Sequence, residues 1–297
     1  MIEIPFTKMH GLGNCFILMD DRENEVSGSI NPNELAKSIC NRDFGIGADG
    51  LILVCRPEDV RDIPDTPNIR ATHASPLRMR IFNEDGSEPE MCGNGVRCFA
   101  RYVVNEGIVP KDILSSRTRH ASPLRIETLA GVISTRLLDD GQVEVDMGEP
   151  TLNNDDVKAN GEGPITVNEN GFVFTFVSMG NPHAVTFVDD FDFNWRKIGA
   201  AVEQASSFPS KTNVEFVRIR GRKEVDVKVW ERGCGETMAC GTGACAVTVA
   251  GALLDLFPRE PIAVHLPGGT LEVFWNAENH VMMTGPTVRV CKGVYWF

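Results

Sequence analysis

Two short segments of the chain place a cysteine ahead of a Gly-polar-Gly triplet and an apolar run. The first is Met-Cys-Gly-Asn-Gly at 91–95, and the second is Ala-Cys-Gly-Thr-Gly at 239–243. Cys240 lies 148 positions after Cys92, which is about half of the 297-residue chain. A single glycine-rich turn before a helix is weak evidence, because such turns are common. Two copies half a chain apart predict a duplicated unit with a cysteine at the same structural point in each half.

Such a segment can bind an anion and activate a thiol. Glycines let the backbone approach a ligand closely, and a helix that begins just after them offers free N–H groups and a positive dipole end. A thiol at this position is expected to have a lowered pKa, so that part of it is thiolate near neutral pH. If the two halves face each other, one thiolate could take an α-proton while the opposing thiol returns one on the other face. The segments therefore predict inversion at the α-carbon of a carboxylate.

Further motifs along the whole chain resemble those of diaminopimelate epimerase, a pyridoxal-independent amino-acid epimerase family. They follow the family order as KMHGLGN (8–14), GIGADG (45–50), RIFN (80–83), DGSE (85–88), MCGNG (91–95), MGEP (147–150), GNPH (180–183), TNVEF (212–216), WERG (230–233), ACGTG (239–243) and TGP (284–286). The full set is specific, whereas the two cysteine segments alone would also fit proline racemase-like proteins. The resemblance implies epimerisation of LL-2,6-diaminopimelate to meso-diaminopimelate without a cofactor, in lysine and peptidoglycan precursor biosynthesis.

The resemblance also implies roles for individual residues. Cys92 and Cys240 are the acid–base pair; His183 lies beside Cys92 and tunes its pKa, and Glu231 is the partner of Cys240. Arg232 holds the distal carboxylate of the substrate, because a planar guanidinium suits paired hydrogen bonds. The other contacts to substrate come from Asn14, Asn83, Gly93, Asn94, Asn181, Asn213, Glu231, Gly241 and Thr242. From the residues alone, a structural histidine and a solvated Glu231–Arg232 pair remain alternatives.

Two positions depart from the family pattern. Cys15 stands where the family usually has Asp, which leaves open a packed residue or a third thiol near the site. Gly50 stands where many members have a polar Gln, so the contacts to the distal end of the substrate can differ.

Composition limits the partners and the compartment. The net charge of −12 argues against a nucleic-acid surface. No apolar stretch has transmembrane length, and the N-terminus lacks a basic region followed by an apolar one, so we expect no membrane partner. A cytoplasmic location follows, or the plastid stroma if a transit peptide has been removed. A homodimer is expected from the resemblance only.

The nine cysteines suit a reducing compartment better than a disulfide framework. Structural zinc sites use close cysteine pairs or paired histidines, which the segments around Cys92/Cys98 and Cys240/Cys245 lack, so we expect no metal. Five of the other cysteines are expected to be buried fillers of apolar elements, namely Cys40, Cys55, Cys98, Cys245 and Cys291.

The predicted fold class is α/β (or α+β), with two pseudo-symmetric mixed-sheet domains. By resemblance, each domain wraps as a barrel around a central helix that begins at its cysteine segment; periodicity places these helices near 96–105 and after 243. The predicted domains are 1–146, joined by the C-terminal tail 285–297, and 147–284. Residues 56–76 carry four prolines and many charges, which indicates a solvent loop.

Two other functions also fit a pair of reactive cysteines. One is a related racemase that acts on another amino acid such as proline, although the Arg and Asn set argues against it because proline has no second carboxylate. The other is a non-catalytic thiol redox sensor or amino-acid-binding protein. Exchange of the α-proton with solvent deuterium separates the three.

Overall fold

Strands make up most of the regular structure in the computed structural model, which describes residues 2–57, 77–110, 123–152 and 166–297. The mixed α+β class predicted from the sequence is confirmed. The predicted solvent loop at 56–76 lies outside the described residues, apart from its first two positions. No helix in the described ranges is long and apolar enough to span a membrane.

The described elements follow one another as β1 (Glu3–Gly11), β2 (Asn14–Asp20), α1 (Pro32–Cys40), β3 (Gly50–Cys55), β4 (Leu77–Asn83), α2 (Gly93–Asn105), β5 (Leu124–Thr128), β6 (Gly131–Leu137), β7 (Val143–Asp146), β8 (Thr166–Glu169), β9 (Phe172–Ser178), β10 (Pro182–Phe187), α3 (Trp195–Glu203), β11 (Asn213–Gly221), β12 (Glu224–Glu231), β13 (Gly235–Glu236), α4 (Gly241–Leu253), β14 (Ile262–Leu266), β15 (Gly269–Trp275), β16 (Val281–Gly285) and β17 (Val288–Trp296).

The first of two compact units comprises Met1–Val145 and Gly285–Phe297. Its central strand pairs are β17–β1 and β1–β2, both antiparallel, then β2–β3 parallel and β3–β4 antiparallel. Strand β5 then pairs parallel with β4, and β5, β6 and β7 form an antiparallel meander. Helix α1 connects β2 to β3, and α2 connects β4 to β5.

The second unit, Asp146–Thr284, repeats the same succession of pairings. Strands β8–β9 and β9–β10 are antiparallel, β10–β11 is parallel and β11–β12 is antiparallel. Strand β14 pairs parallel with β12 and continues into the antiparallel meander β14, β15 and β16. Helix α3 connects β10 to β11, and α4 precedes β14, so each described element of the second unit has a counterpart in the first except the two-residue strand β13, which pairs with the end of β12.

Helices α2 and α4 form the interior of their own units. Each has 13 residues, and most of them are buried. Helix α2 contacts β1, β2, β3, β4 and β6, and α4 contacts β9, β10, β11 and β15. Apolar side chains all round α4 allow this burial, because a helix that is hydrophobic on every face belongs in a core. Closure of the strands into barrels stays a prediction.

Both central helices begin earlier than the periodicity predicted. Cys92 is extended, with φ −139° and ψ 118°, and serves as the N-cap of α2, so the helix starts at Gly93 and not near Val96. The glycines therefore occupy the first helical turn, where the backbone N–H groups have no partner within the helix. At the other end, Gly107 follows the C-cap Glu106 with φ +70°, a conformation that favours glycine just past a helix.

Candidate active site

The first cysteine segment lies against a tight turn at the start of β2. Leu12 and Gly13 both have positive φ, 55° and 87°, and this turn brings Asn14 to the start of the strand. The Oδ1 atom of Asn14 lies 3.7 Å from the half-buried thiol of Cys92. The same oxygen accepts a hydrogen bond of 3.2 Å from Nδ2 of Asn94. Three predicted site residues are thus brought together within this unit.

Two charged residues hold this asparagine pair from behind. Nδ2 of Asn14 donates to Asp49 at 3.0 Å. Arg97, which is fully buried, donates to Oδ1 of Asn94 at 2.8 Å. The Asn94 side chain is therefore engaged inside the protein, and its predicted substrate contact would have to come from the backbone N–H. The sequence analysis did not single out Asp49 or Arg97, although an arginine inside a buried helical run is a signal for such a role.

Gly50 and Cys15, the two departures from the family pattern, both lie close to neighbouring backbone atoms. A Cβ atom added to Gly50 would lie 2.7 Å from the carbonyl oxygen of Phe82, so this position has no room for a side chain without movement. The thiol of Cys15 donates to the carbonyl oxygen of Gly13 at 3.4 Å. Burial and then the charge of Asp49 raise the pKa of Cys15, so this third thiol is held in its protonated form.

Asn83 occupies the end of β4. It is exposed, and its Nδ2 donates to Ser87 Oγ at 2.9 Å. Its counterpart in the second unit is Glu231 at the end of β12, because Leu51 pairs with Phe82 as Val214 pairs with Trp230.

The second cysteine segment caps α4 through the thiol itself. The sulfur of Cys240 accepts a hydrogen bond from the backbone N–H of Gly243 at 3.3 Å and lies 3.5 Å from Oγ1 of Thr242. Thr242 in turn accepts from Nδ2 of Asn181 at 3.2 Å. Cys240, with 5% of its surface exposed, is a buried residue, in contrast to the half-buried Cys92.

A buried imidazole–carboxylate pair lies beside this thiol. Nδ1 of His183 is 2.7 Å from Oε1 of Glu215, and neither side chain has any exposed surface. Nε2 of His183 is 3.0 Å from Oδ1 of Asn181. The ligand atoms of His183, Glu215 and Cys240 all lie within 4.8 Å of one another. His183 belongs to strand β10 and not to the turn before it, and its predicted place beside Cys92 stays a prediction.

Burial and nearby charges shift the pKa of Cys240 in the direction opposite to the one predicted from its place at a helix N-terminus. Burial, followed by the negative charges of Glu231 and Glu215, raises the pKa of the Cys240 thiol well above its ordinary value. Hydrogen bonds from Thr242 and from the Gly243 N–H act in the opposite direction but are outweighed. The prediction of a lowered pKa at the helix N-terminus is therefore wrong for Cys240, which is held as a thiol.

Glu231 ends strand β12, and Arg232 follows it in the turn. Burial raises the pKa of Glu231, whereas a hydrogen bond from Thr237 and the charge of His183 lower it. A hydrogen bond with Cys240 also links this carboxyl to the thiol. Arg232 is exposed, and one of its guanidinium nitrogens donates to Ser210 O at 3.2 Å.

Asn213 fixes the backbone at this point. Its Oδ1 accepts from the N–H of Arg232 at 2.9 Å, and its Nδ2 donates to the carbonyl oxygen of Pro182 at 2.9 Å. The side chain is buried, so it ties the base of the Arg232 side chain to the start of β10. Asn213 therefore holds the backbone at Arg232, and its predicted direct contact with substrate stays a prediction.

The trio of His183, Glu215 and Cys240 has the atom types of a metal site, but its spacing is that of a hydrogen-bonded cluster. Two ligands of a tetrahedral zinc ion with bonds of about 2.0–2.3 Å lie more than about 3 Å apart. The 2.7 Å between His183 Nδ1 and Glu215 Oε1 is a hydrogen-bond distance. A proton therefore occupies the space between these two atoms.

The remaining cysteines follow the predictions with one exception. Cys40, Cys55, Cys98 and Cys245 are buried, as expected of fillers in apolar elements. Cys291 is exposed, so its predicted burial is wrong. It lies in β17, whose exposed face includes Val288, Val290 and Trp296.

The fold places the chain in a structural class that includes isomerases of small molecules. Over its whole length it is similar to a phenazine biosynthesis protein of the PhzF family from Bacillus anthracis, with 16% identity, full coverage of both chains and a TM-score of 0.68. It is also similar to a hydroxyproline epimerase from Agrobacterium vitis, with 13% identity, coverage of 98% of this chain and 92% of that one, and a TM-score of 0.63. At these identities the likeness concerns the fold alone.

Sequence comparison identifies the family within this class. The family model for diaminopimelate epimerase matches residues 6–153 and 175–290. Diaminopimelate epimerases from Moorella thermoacetica and Desulfitobacterium hafniense are 47% and 45% identical, over 97% and 98% of this chain and 98% of each relative. That of Synechocystis sp. is 44% identical over 98% of both chains. The chain belongs to the diaminopimelate epimerase family, and it is an isomerase.

Proposed function

We propose that the protein interconverts LL-2,6-diaminopimelate and meso-diaminopimelate by a two-thiol mechanism, without a cofactor, in lysine and peptidoglycan precursor biosynthesis. The observation that carries the proposal is that each unit, built on the same topology, has a cysteine as the N-cap of its buried helix. In one direction the thiolate of Cys92 removes the α-proton, and the thiol of Cys240 donates a proton to the opposite face. The reverse direction exchanges the two roles.

The charges in the second unit support the role of Cys240 as the acid. Its raised pKa keeps the proton on sulfur until the α-carbon carries negative charge. After the transfer, the N–H of Gly243 and the hydroxyl of Thr242 are within hydrogen-bond distance to stabilise the new thiolate. Glu231, with its raised pKa and its hydrogen bond to Cys240, is positioned to adjust the proton affinity of the sulfur.

The first turns of α2 and α4 supply the binding site for the α-carboxylate in this proposal. Gly93–Gly95 and Gly241–Gly243 form the first turns of these helices, where backbone N–H groups lack the carbonyl acceptors of the helix interior, and the Gly243 N–H donates to the Cys240 sulfur. Such preorganised donors stabilise negative charge as it spreads from the α-carbon into the carboxylate. The substrate contacts predicted for Gly93, Asn94, Gly241 and Thr242 are therefore assigned mainly to the backbone.

The distal carboxylate is assigned to Arg232. Its side chain is exposed, and its backbone is held by Asn213, so the guanidinium can turn toward a ligand from a fixed base. Asn14, Asn83 and Asn181 are assigned to the remaining polar contacts. A homodimer completes the proposal and is tested by the molar mass in solution from analytical ultracentrifugation.

Exchange of the α-proton with solvent deuterium tests the activity. Catalytic amounts of enzyme are incubated in D₂O with LL-diaminopimelate, meso-diaminopimelate or proline, and deuterium at the α-carbon and stereochemical inversion are followed together. Exchange with inversion for both isomers of diaminopimelate, and none for proline, is the expected result. Exchange with proline alone would assign a racemase of another amino acid, and no exchange with any substrate would favour a redox sensor or binding protein.

A further inference from the structure

At one pair of equivalent buried positions, the first unit has apolar side chains and the second has ionisable ones. Within β2 and β3, Phe16 is opposite Gly50 and Leu18 is opposite Ile52. Within β10 and β11, His183 is opposite Asn213 and Val185 is opposite Glu215. Because the two units share one order of pairings, His183 corresponds to Phe16 and Glu215 corresponds to Ile52.

The neighbourhood of the glycine in each helix confirms this correspondence. A Cβ atom added to Gly95 would lie 3.2 Å from Cδ1 of Ile52 and 3.6 Å from Cβ of Cys92. A Cβ atom added to Gly243 would lie 2.7 Å from Oε1 of Glu215 and 3.2 Å from the sulfur of Cys240. The same space is therefore filled by a methyl group behind the first cysteine and by a carboxylate behind the second.

Packing alone does not require the polar pair. The first unit builds this part of its core from Phe16 and Ile52, both buried and apolar. Moving a carboxylate and an imidazole out of water costs free energy that their mutual attraction offsets only in part, and apolar replacements are often as stable. Within the described residues, Oε2 of Glu215 has no hydrogen-bond partner, which adds to the cost. Such a costly arrangement next to a thiol indicates a role in the chemistry of that thiol.

We propose that Glu215 is a positioning residue for the second thiol, holding His183 by its Nδ1 proton and placing a fixed negative charge beside Cys240 so that the sulfur keeps its proton until it is transferred. This role deepens the proposed function and rests on it. In the transfer, the S–H bond of Cys240 breaks, its electron pair stays on sulfur, and a C–H bond forms at the α-carbon. Glu215 and His183 exchange no proton in this step.

The ionisable groups that face Cys240 come from three strands. His183 lies on β10, Glu215 on β11 and Glu231 at the end of β12. Of these, the two carboxylates raise the pKa of the thiol in addition to burial. Removal of the charge of Glu215 should therefore move the ionisation of Cys240 to lower pH, with Glu231 left in place.

Two substitutions separate charge from position. Glu215→Gln keeps a carbonyl oxygen for the Nδ1–H of His183 and removes the charge. Glu215→Asp keeps the charge and withdraws it by one methylene, so the 2.7 Å contact to His183 is lost. Both should lower kcat by about 10–100-fold, by analogy with the loss found when a residue that orients a metal-ligating histidine is removed, with little change in KM.

The ionisation of Cys240 is measured without substrate, so this result is separable from the proposed function. The rate of Cys240 carbamidomethylation by iodoacetamide is followed by peptide mass spectrometry as a function of pH; limited access scales the rate but does not move the midpoint. In Glu215→Gln the midpoint should lie at lower pH than in the wild-type protein, and in Glu215→Asp it should move less. Glu203→Gln is the matched control, because Glu203 is also buried in this unit and accepts from Trp230 Nε1 at 2.9 Å and from Gly233 N at 3.0 Å.

The outcomes decide the role of Glu215. A midpoint in Glu215→Gln that matches the wild-type value, or that shifts equally in Glu203→Gln, overturns the electrostatic role. Wild-type kcat in Glu215→Asp overturns the positioning role, and this variant remains readable if Glu215→Gln does not fold. The role is supported if the wild-type protein exchanges the α-proton of diaminopimelate and the Glu215 variants show both a shifted midpoint and a reduced kcat.

Discussion

Different charged residues lie behind the two cysteine segments. In the first unit the buried guanidinium of Arg97 donates to Asn94, which donates to the same oxygen of Asn14 that lies near Cys92, and Asp49 accepts from the Asn14 amide. In the second unit the carboxylates of Glu215 and Glu231 raise the pKa of Cys240. At the scale of single residues, the duplicated loops thus lie in different electrostatic environments. The proposed two-base mechanism calls for unequal thiols, because one sulfur must accept a proton while the other supplies one.

Arg232→Lys tests the residue assigned to the distal carboxylate. Lysine keeps the charge but cannot make the paired hydrogen bonds of a guanidinium. We expect kcat/KM for diaminopimelate to fall. The loss should correspond to about 1.5–3 kcal/mol of transition-state stabilisation, the range for hydrogen bonds to charged groups. Arg220→Lys is the control, because Arg220 is an exposed arginine of the same unit that pairs with Glu224 at 3.6 Å. Equal kinetics for wild type and Arg232→Lys would show that Arg232 does not hold this carboxylate.

At the scale of elements, the helix N-terminus is the device that the two units share. Cys92 and Cys240 are both extended N-caps, and a Gly-polar-Gly triplet forms the first turn of each helix. Gly95 and Gly243 do not have positive φ, so their backbone conformation does not require glycine. They are needed for space, because both lie close to side chains of the strands behind them. The strand therefore decides how much a substitution at each glycine costs.

Substitution of the third residue of each helix should have unequal effects. In Gly243→Ala the new methyl group meets the Glu215 carboxylate at 2.7 Å, and this group is held by His183. In Gly95→Ala it meets the terminal methyl groups of Ile52 and Ile81 at 3.2 Å, which can move by a few tenths of an ångström. We expect Gly243→Ala to lose at least about tenfold more kcat than Gly95→Ala, because displacement of a positioned acid–base group is costly. Steady-state kinetics of both variants, with thermal melts to verify folding, would contradict this if the losses were equal.

At the scale of the whole molecule, the chain is a duplication whose halves have diverged at the reactive centre. The order of strand pairings is the same in both units, and the helices that begin at Cys92 and Cys240 have equal length. The divergence lies in side chains, with Phe16 and Ile52 in one unit and His183 and Glu215 in the other. In the proposed mechanism, one architecture thus supplies two thiols with separate functions, one for each face of the substrate.

Removal of each thiol should give complementary defects. Cys92→Ala and Cys240→Ala should each lower epimerisation by at least the ~10²–10⁴-fold typical of losing a positioned acid or base. In each variant the remaining thiolate can still remove the α-proton from the isomer whose proton faces it. Slow deuterium incorporation without inversion should therefore persist for one isomer in Cys92→Ala and for the opposite isomer in Cys240→Ala. Cys291→Ala, which removes an exposed thiol outside both segments, should behave as wild type. The same isomer preference in both variants would indicate one base acting on both faces.

The sequence by itself determined the duplication, the family and the helix that follows each cysteine segment. These depend on local spacing: a Gly-polar-Gly triplet after a cysteine, followed by an apolar run, is visible without knowledge of distant contacts. The starts of α2 and α4 were predicted a few residues too late, because glycines were interpreted as a loop before the helix when they form its first turn.

Only the tertiary structure decided the environment of Cys240. Glu215 lies 25 residues before Cys240 in the chain and is brought to it by the packing of α4 against β11, a contact that the sequence does not show. The sign of the change in the thiol pKa depended on this placement, because burial and two carboxylates outweigh the local effect of the helix N-terminus. The same holds for Cys291, whose apolar surroundings in the sequence suggested burial although its strand leaves it exposed. Long-range pairing determines which side chains share a low-dielectric space, and that space determines the proton affinity of the thiol.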